Sequence, residues 1–406
     1  MLPETINLYV FVVLDDGRII KAGRLLVENL HMAFRGGYKG FFQYDSDYLN
    51  HTDNYALDPA NLKLSLKIIR ANRPEYGIHG VFHDSLPGRW GNRLLACKAG
   101  FNQQHYTPAH LLEPLGNTGI GALLYSTDPE TPPKVKDPSI DFADIALALD
   151  EAKIYENQKI VPMELKFLMT GGYSAGGARP KLLVKKDNCH YLAKFSSIHD
   201  PTPALLVDLE AAGLELGKRI GLEIPYFEIS EVYKKPVLLI KRFDITEKEG
   251  RRAMISFATL LDQDPASGSY SSMAEVVRRY SSQPRLDLEQ LFKQMILNVA
   301  IHNTDDHLQN FSMIHDSDGW RLSPAYDLTP SFLQNEQAAI IDGKVTNLTT
   351  ENIINEGKHF GFSRQKALKI INNICSSLDG WSDLIIDEHA RERISKKMAK
   401  VLGYPV

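Results

Sequence analysis

The chain has 406 residues, 46 of them Lys or Arg against 50 Asp or Glu, and 43% are hydrophobic. That length suits two or three domains, and the ordinary apolar content fits a globular protein. The net charge of −4 gives no global argument for direct nucleic-acid binding, and the widely spaced Cys97, Cys189 and Cys375 indicate neither a zinc site nor a disulfide framework, so a reducing compartment fits best.

The first apolar run, INLYVFVVL, is too short to span a bilayer and has no basic leader, so a cytoplasmic protein without a membrane anchor is expected. With RIIKAGRLLVE it reads as two strands joined at Asp15-Asp16-Gly17. KGFFQYDSDYL offers another strand, DSLPGRWGNRLL a helix, and HLLEPLGNTGIGALLYS a helix, a glycine turn and a strand. The proline-rich stretch Asp128–Pro138 is the best candidate boundary. A helix over DFADIALALDEAKIY follows. GGYSAGGARPKLLVKKDNCHYLAKFSS then reads as a glycine-rich turn and two strands meeting at Asp187-Asn188. TPALLVDLEAAGLELGKRIGL is an amphipathic helix, and IPYFEISEVY and PVLLIKRFDI are two more strands. Beyond Asp244 the chain is mostly helical. LDQDPASGSYSS reads as a mobile polar loop. Leu288, Leu291, Phe292, Met295, Ile296 and Val299 form the apolar stripe of a buried helix. FSMIHDSDGWRLS is a hairpin, and two amphipathic helices close the chain.

The chemistry concentrates in NTDDHLQN, Asn303–Asn310, and in LSPAYDLTP, which carries Asp327. Phosphoryl transfer from ATP needs a carboxylate to orient and deprotonate an attacking hydroxyl, and oxygen ligands to hold magnesium against the phosphates. Asp305 is the candidate base, and Asn310 and Asp327 are the candidate magnesium ligands. His307 braces the loop or contacts phosphate. Each has a commoner role alone: turn aspartate, turn asparagine, helix cap, structural histidine. Their order, with a hairpin before Asp327, is what points to a kinase. Lys194, in the strand HYLAKFS on the same face as Leu192, can neutralise phosphate charge, with Glu210 on the next helix as its partner. As edge-strand lysine and solvent-facing glutamate both would be bland. In GGYSAGGARPK the backbone N–H groups of the turn, at Gly176 and Gly177, can wrap phosphates, with Arg179 and Lys181 adding charge. This is not a GxxxxGK[ST] loop, since Leu182 follows Lys181. Ser174 stands at its crest.

These residues resemble the HipA toxin kinases of bacterial toxin–antitoxin modules over nearly the whole chain. The likeness is carried by SLPGRWGNRLL, LLEPLGNTGIGALLY, SAGGARPKLLV, LAKFS, IKRFD, NTDDHLQNFSMI and PAYDL. It implies an α+β, two-lobed kinase-like fold related to lipid-kinase folds. A β-rich N-terminal subdomain (residues 1–135) would precede a small lobe (136–244) and a helical large lobe (245–406). It implies Asp305 as catalytic aspartate, Asn310 and Asp327 as Mg2+ ligands, Lys194 on the ATP phosphates, and adenine contacts from the main chain around Lys241 and Phe243. Ser174 matches the serine this family autophosphorylates, which displaces the loop and shuts the kinase down. The likeness further implies a HipB-like DNA-binding antitoxin, DNA contact mainly through that partner, and an aminoacyl-tRNA synthetase as the protein substrate, with growth arrest following. Lys241 departs from the usual acidic hinge residue, and Arg179-Pro180 from a polar-acidic pair. An inactive kinase fold serving as a binding or repressor component, and a small-molecule or lipid kinase suggested by D-x-H-x-x-N, are the rival readings.

Overall fold

Alternating apolar residues build the first strand, β1 (Ile6–Val13), with Leu8, Val10 and Val12 buried. The computed structural model describes residues 3–28, 38–73, 77–101, 106–133, 137–158, 165–172, 180–200, 203–331 and 334–403. The turn read at Asp15-Asp16-Gly17 is present: Leu14 N–H donates to the Arg18 carbonyl at 2.8 Å, and Gly17 has φ +86°. It leads into β2 (Ile19–Glu28), whose register against β1 shifts between Val10 and Phe11, a bulge. Beside the bulge, a Cβ on Gly23 would lie 2.2 Å from the Gln43 carbonyl oxygen, so only glycine lets β3 (Lys39–Tyr44) come this close. With β4 (Ile69–Arg70) and β5 (Leu123–Ser126) these strands form a sheet ordered β4-β3-β2-β1-β5. Four short helices, α1 (Ser46–Asn50), α2 (Gly80–Asp84), α3 (Arg89–Lys98) and α4 (Pro108–Leu115), accompany it. Phe42 anchors an aromatic core, its ring 5.0 Å from Tyr44 and 5.2 Å from Phe82.

A second sheet follows in chain order: β6 (Ile140–Asp141), then helices α5 (Ile145–Gln158) and α6 (Leu168–Gly171), then β7 (Lys181–Lys186), β8 (Cys189–Lys194), β9 (Phe227–Val232) and β10 (Lys235–Lys241). Its strand order is β6-β7-β8-β10-β9. Both hairpins turn on two residues at positive φ, Asp187 and Asn188 in one, Tyr233 and Lys234 in the other. That geometry matches the right-handed twist of the strands, and Asp and Asn adopt it at low cost.

The chain divides into two compact units, Met1–Pro201 with Ser230–Ile255, and Thr202–Ile229 with Ser256–Val406. The helix α7 (Pro203–Arg219) thus belongs with the C-terminal helical part, although it precedes β9 and β10 in sequence. After β11 (Met254–Ser256) come α8 (Phe257–Leu261), α9 (Tyr270–Tyr280) and α10 (Pro284–Ala300). The expected polar loop over LDQDPASGSYSS is therefore only partly a loop. Ser269 and Ser272 close a reciprocal capping box, and Tyr270, fully buried, opens α9. The stripe read on α10 is buried throughout.

Asp287, one turn into α10, is also buried. It takes three hydrogen bonds from the Arg321 guanidinium at 2.8–3.1 Å, one from Leu322 N–H at 2.9 Å and one from the Ser281 hydroxyl at 2.6 Å. This carboxylate fastens the hairpin β12 (Ser312–Asp316) and β13 (Gly319–Leu322) to α10. Among the described residues three helices, not two, follow the hairpin: α11 (Thr350–His359), α12 (Arg364–Ser377) and α13 (Glu388–Leu402). No helix among the described residues is long and apolar enough to cross a membrane.

Candidate functional site

The loop that follows α10 is set by a turn residue and a carboxamide. His302 takes φ +59°, reversing the chain, and Ser331 N–H donates to its carbonyl at 2.9 Å. Asn303, buried, then faces three ways. Its Nδ2 donates to Asn298 Oδ1 at 3.1 Å and to the Asp327 carbonyl at 3.2 Å, while its Oδ1 accepts from Asp305 N–H at 3.2 Å. One side chain therefore holds the main chain of both candidate functional aspartates. A second tie runs parallel to it: the Tyr326 hydroxyl donates to the Gln309 carbonyl at 3.2 Å and lies 2.6 Å from Ser312 Oγ.

Within the loop, the Asp305 side chain is 72% exposed. His307 Nε2 stands 3.6 Å from its Oδ1, and His307 Nδ1 accepts from Gln309 N–H at 3.2 Å, capping the short turn Leu308–Asn310. The bracing role expected of His307 thus has a geometry. Asn310 Nδ2 donates to the Asp305 carbonyl at 2.7 Å. That bond fixes the carboxamide plane and turns its oxygen, the atom a cation would take, to the other side.

Asp327 has φ +57°, a conformation aspartate tolerates better than most residues, and it is half-buried. The residue after it, Leu328, lies against α7. A Cβ on Gly213 would meet the Leu328 carbonyl oxygen at 1.8 Å, so the helix approaches this backbone as only glycine permits. Glu210, three residues earlier on α7, is buried and not the solvent-facing glutamate of the bland reading.

Sequence reasoning passed over Asp306. It is 1% exposed and accepts from the Tyr270 hydroxyl (2.8 Å), Gln337 Nε2 (3.0 Å), Ala338 N–H (2.8 Å) and Ala339 N–H (3.2 Å). Burial pushes its pKa above the usual carboxylate range, against the pull of these donors. Gln337 Nε2 also donates to the Asn303 carbonyl at 2.9 Å, and Asn298 Nδ2 to the Tyr270 hydroxyl at 3.1 Å. The Asp-Asp doublet is thus split, with Asp305 outward and Asp306 inward into a polar network. No local pattern marks that split, because its partners lie 28 or more residues from their acceptors.

In the first unit Lys181 and Lys194 stand directly opposite each other on β7 and β8, hence on one face of the sheet. Lys181 is buried and Lys194 half-buried, and Lys194 shares its face with Leu192 as read. Lys241 is exposed at the end of β10, and Phe243 is half-buried. Between and beyond them the alternation places Arg242 and Asp244 inward, as a buried pair with contacts at 2.6 and 3.0 Å. Asp244 also accepts from Gly121 N–H at 2.9 Å, which gives the LGNTGIGALLY motif a structural task. Burial alone would raise the Asp244 pKa. The Arg242 charge and hydrogen bonds, with Gly121 and Arg251, outweigh it and hold the carboxyl below its ordinary value. Ser174, Gly176, Gly177 and Arg179 lie outside the described residues.

Among the described residues no three His, Cys, Asp or Glu side chains gather into a ready metal cage. The two candidate ligands, Asp327 and Asn310, are one carboxylate and one carboxamide. Oxygen donors of these two kinds are ones that magnesium accepts, alongside waters and phosphate oxygens.

The model of the HipA-like C-terminal domain matches residues 173–381, more than half of the chain, and that of the HipA N-terminal domain matches residues 25–126. The chain belongs to the HipA family. HipA of Shewanella oneidensis MR-1, solved as a toxin–antitoxin complex with HipB and its operator DNA, superimposes with a TM-score of 0.69 at 16% identity. The match covers 97% of this chain and 96% of that one. This establishes the fold as the α+β, two-lobed kinase-like one. "Putative kinase Y4mE" of Sinorhizobium fredii is 26% identical over 203 residues, 44% of this chain and 48% of that protein. "Putative kinase Y4dM" of the same organism is 26% identical over 152 residues, 33% of this chain and 36% of that protein. The chain thus spans about half or less of the curated relatives it matches.

Proposed function

We propose that this HipA family member is an ATP- and magnesium-dependent kinase that phosphorylates serine or threonine hydroxyls of a protein. The observation that carries the reading is the Asn303 junction, which binds the Asp305 amide and the Asp327 carbonyl with one carboxamide. Asp305 orients the acceptor hydroxyl and takes up its proton. Asn310 Oδ1 and the Asp327 carboxylate would hold magnesium, which would neutralise charge on the phosphates. Lys181 and Lys194, side by side across β7 and β8, bind phosphate oxygens, and main chain around Lys241 and Phe243 takes the adenine. Gly176 and Gly177 would complete the phosphate cradle.

Ser174 is the proposed site of autophosphorylation. A phosphoserine there adds about two negative charges to the glycine-rich stretch proposed to bind phosphate, which opposes ATP binding. An antitoxin partner belongs to the same reading and is supported by the assembly of the Shewanella protein with HipB and operator DNA. By family likeness the substrate is an aminoacyl-tRNA synthetase.

The test is incubation of the purified protein with magnesium and radiolabelled ATP, with and without cell extract, followed by mass spectrometry. Label on Ser174 and on one extract protein, both lost in Asp305→Asn, is the expected result. Label confined to a small metabolite would instead make this a small-molecule kinase, and no label at all would leave a kinase fold used for binding.

A further inference from the structure

Asn303 is neither a candidate base nor a candidate ligand, yet it occupies the centre of the site. Its carboxamide is buried and hydrogen-bonded to Asn298, Asp305 and Asp327, and its own amide and carbonyl are engaged by Asn298 O at 2.8 Å and Gln337 Nε2 at 2.9 Å. The side chain cannot rotate without losing bonds on two loops at once. Flipping the amide would set its oxygen against the Asp327 carbonyl and its nitrogen against the Asp305 N–H.

We infer that Asn303 is a positioning residue that fixes the separation of Asp305 from the Asp327 metal loop. Asp306 acts as the peg beneath it, fastening the same loop to the Gln337–Ala339 segment. The inference rests on the kinase reading for its consequence, not for its geometry. A carboxamide in this place transmits no charge to the reacting atoms. It sets distance and angle, and errors of about 1 Å in such placement cost about 100-fold in rate.

Two readouts test it on the full-length protein. The first is kinetic. Asn303→Ala should lower kcat by about 100-fold and raise the magnesium concentration needed for half-maximal rate. KM for the protein acceptor should stay within about twofold of wild type. Asp287→Asn, which weakens the remote attachment of β13, should lower the melting temperature without moving the magnesium requirement. The second readout is site-resolved amide hydrogen exchange without nucleotide. In Asn303→Ala the Asp305 amide and the 327–331 segment should exchange faster together. Should the alanine variant fail to fold, Asn303→Asp takes its place. It keeps an acceptor for Asp305 N–H but sets a carboxylate against the Asp327 carbonyl, so only the metal loop should loosen.

A folded Asn303→Ala protein with wild-type kcat and magnesium requirement would overturn the inference. So would faster exchange limited to one of the two loops in Asn303→Ala, or an unchanged metal loop in Asn303→Asp. If wild type transfers no phosphate yet both loops loosen together in the variant, the kinase reading fails and the clamp stands.

Discussion

The Tyr270 hydroxyl donates to Asp306 Oδ2 at 2.8 Å, with both groups buried. Through this bond the first residue of α9 reaches the loop that carries Asp305. Tyr270→Phe deletes the donor and leaves Asn298 Nδ2 without the acceptor it uses at 3.1 Å. The expected loss of stability is about 1–3 kcal/mol, read as a lower urea midpoint with an unchanged slope. Phosphoryl transfer should weaken as well. An unaltered midpoint would mean that Asp306 is held by Gln337 and the Ala338 and Ala339 amides alone.

Gly213 tests the contact between α7 and the metal loop. An alanine methyl would sit 1.8 Å from the Leu328 carbonyl oxygen, and backbone cannot yield as a flexible side chain does. Gly213→Ala should cost at least about 1–3 kcal/mol by overpacking and should impair activity more than Gly217→Ala, whose new Cβ would meet side-chain carbons of Ile224 and Leu328 at 2.9 and 3.2 Å. Melting curves and kcat of the two variants make the comparison.

Asp287→Ala strands the half-buried Arg321 guanidinium and the buried Leu322 amide together. Breaking such a pair costs about 3–5 kcal/mol. The double variant Asp287→Leu, Arg321→Met should regain only part of this, because Leu322 N–H and the Ser281 hydroxyl still lack their acceptor. Full recovery in chemical denaturation would show that the backbone bond contributes little.

His79 sets an acid limit on the first unit. Its ring lies 6.4 Å from Phe42 and 5.7 Å from Phe82, and burial pushes its pKa down to about 4. The unfolded chain binds the proton near pH 6.5. The stability this neutral histidine contributes is therefore complete above about pH 6.5 and is lost as pH falls towards 4. His79→Leu should flatten that dependence. A denaturation midpoint whose slope between pH 7 and 4.5 is the same in both proteins would contradict the assignment.

Much of the fold could be read locally. The Asp187-Asn188 hairpin, the α10 stripe and the β12–β13 turn each rest on residues within one element, and the order of Asp305, Asn310 and Asp327 was visible for the same reason. The start of α9 was hidden because Ser269, Tyr270 and Ser272 look like a polar loop until the capping box and the buried ring are seen. The three-way division by residue number could not anticipate that α7 packs with chain that comes much later. Asn303 and Asp306 escaped notice since their meaning lies in partners up to 36 residues distant, and spacing rules carry no such information.

The interleaving of the two units has a consequence for biosynthesis. Thr202–Ile229 leaves the ribosome before Ser230–Ile255, yet it belongs to the later-finished body. A nascent α7, apolar and amphipathic, must wait through the completion of the first body before α10 and the Leu328 segment emerge to cover it. Vectorial folding completes the first body while α7 still lacks the rest of its own. Cutting at any single peptide bond between residues 202 and 255 leaves at least one body missing a piece, so no one cut divides the chain into two whole bodies.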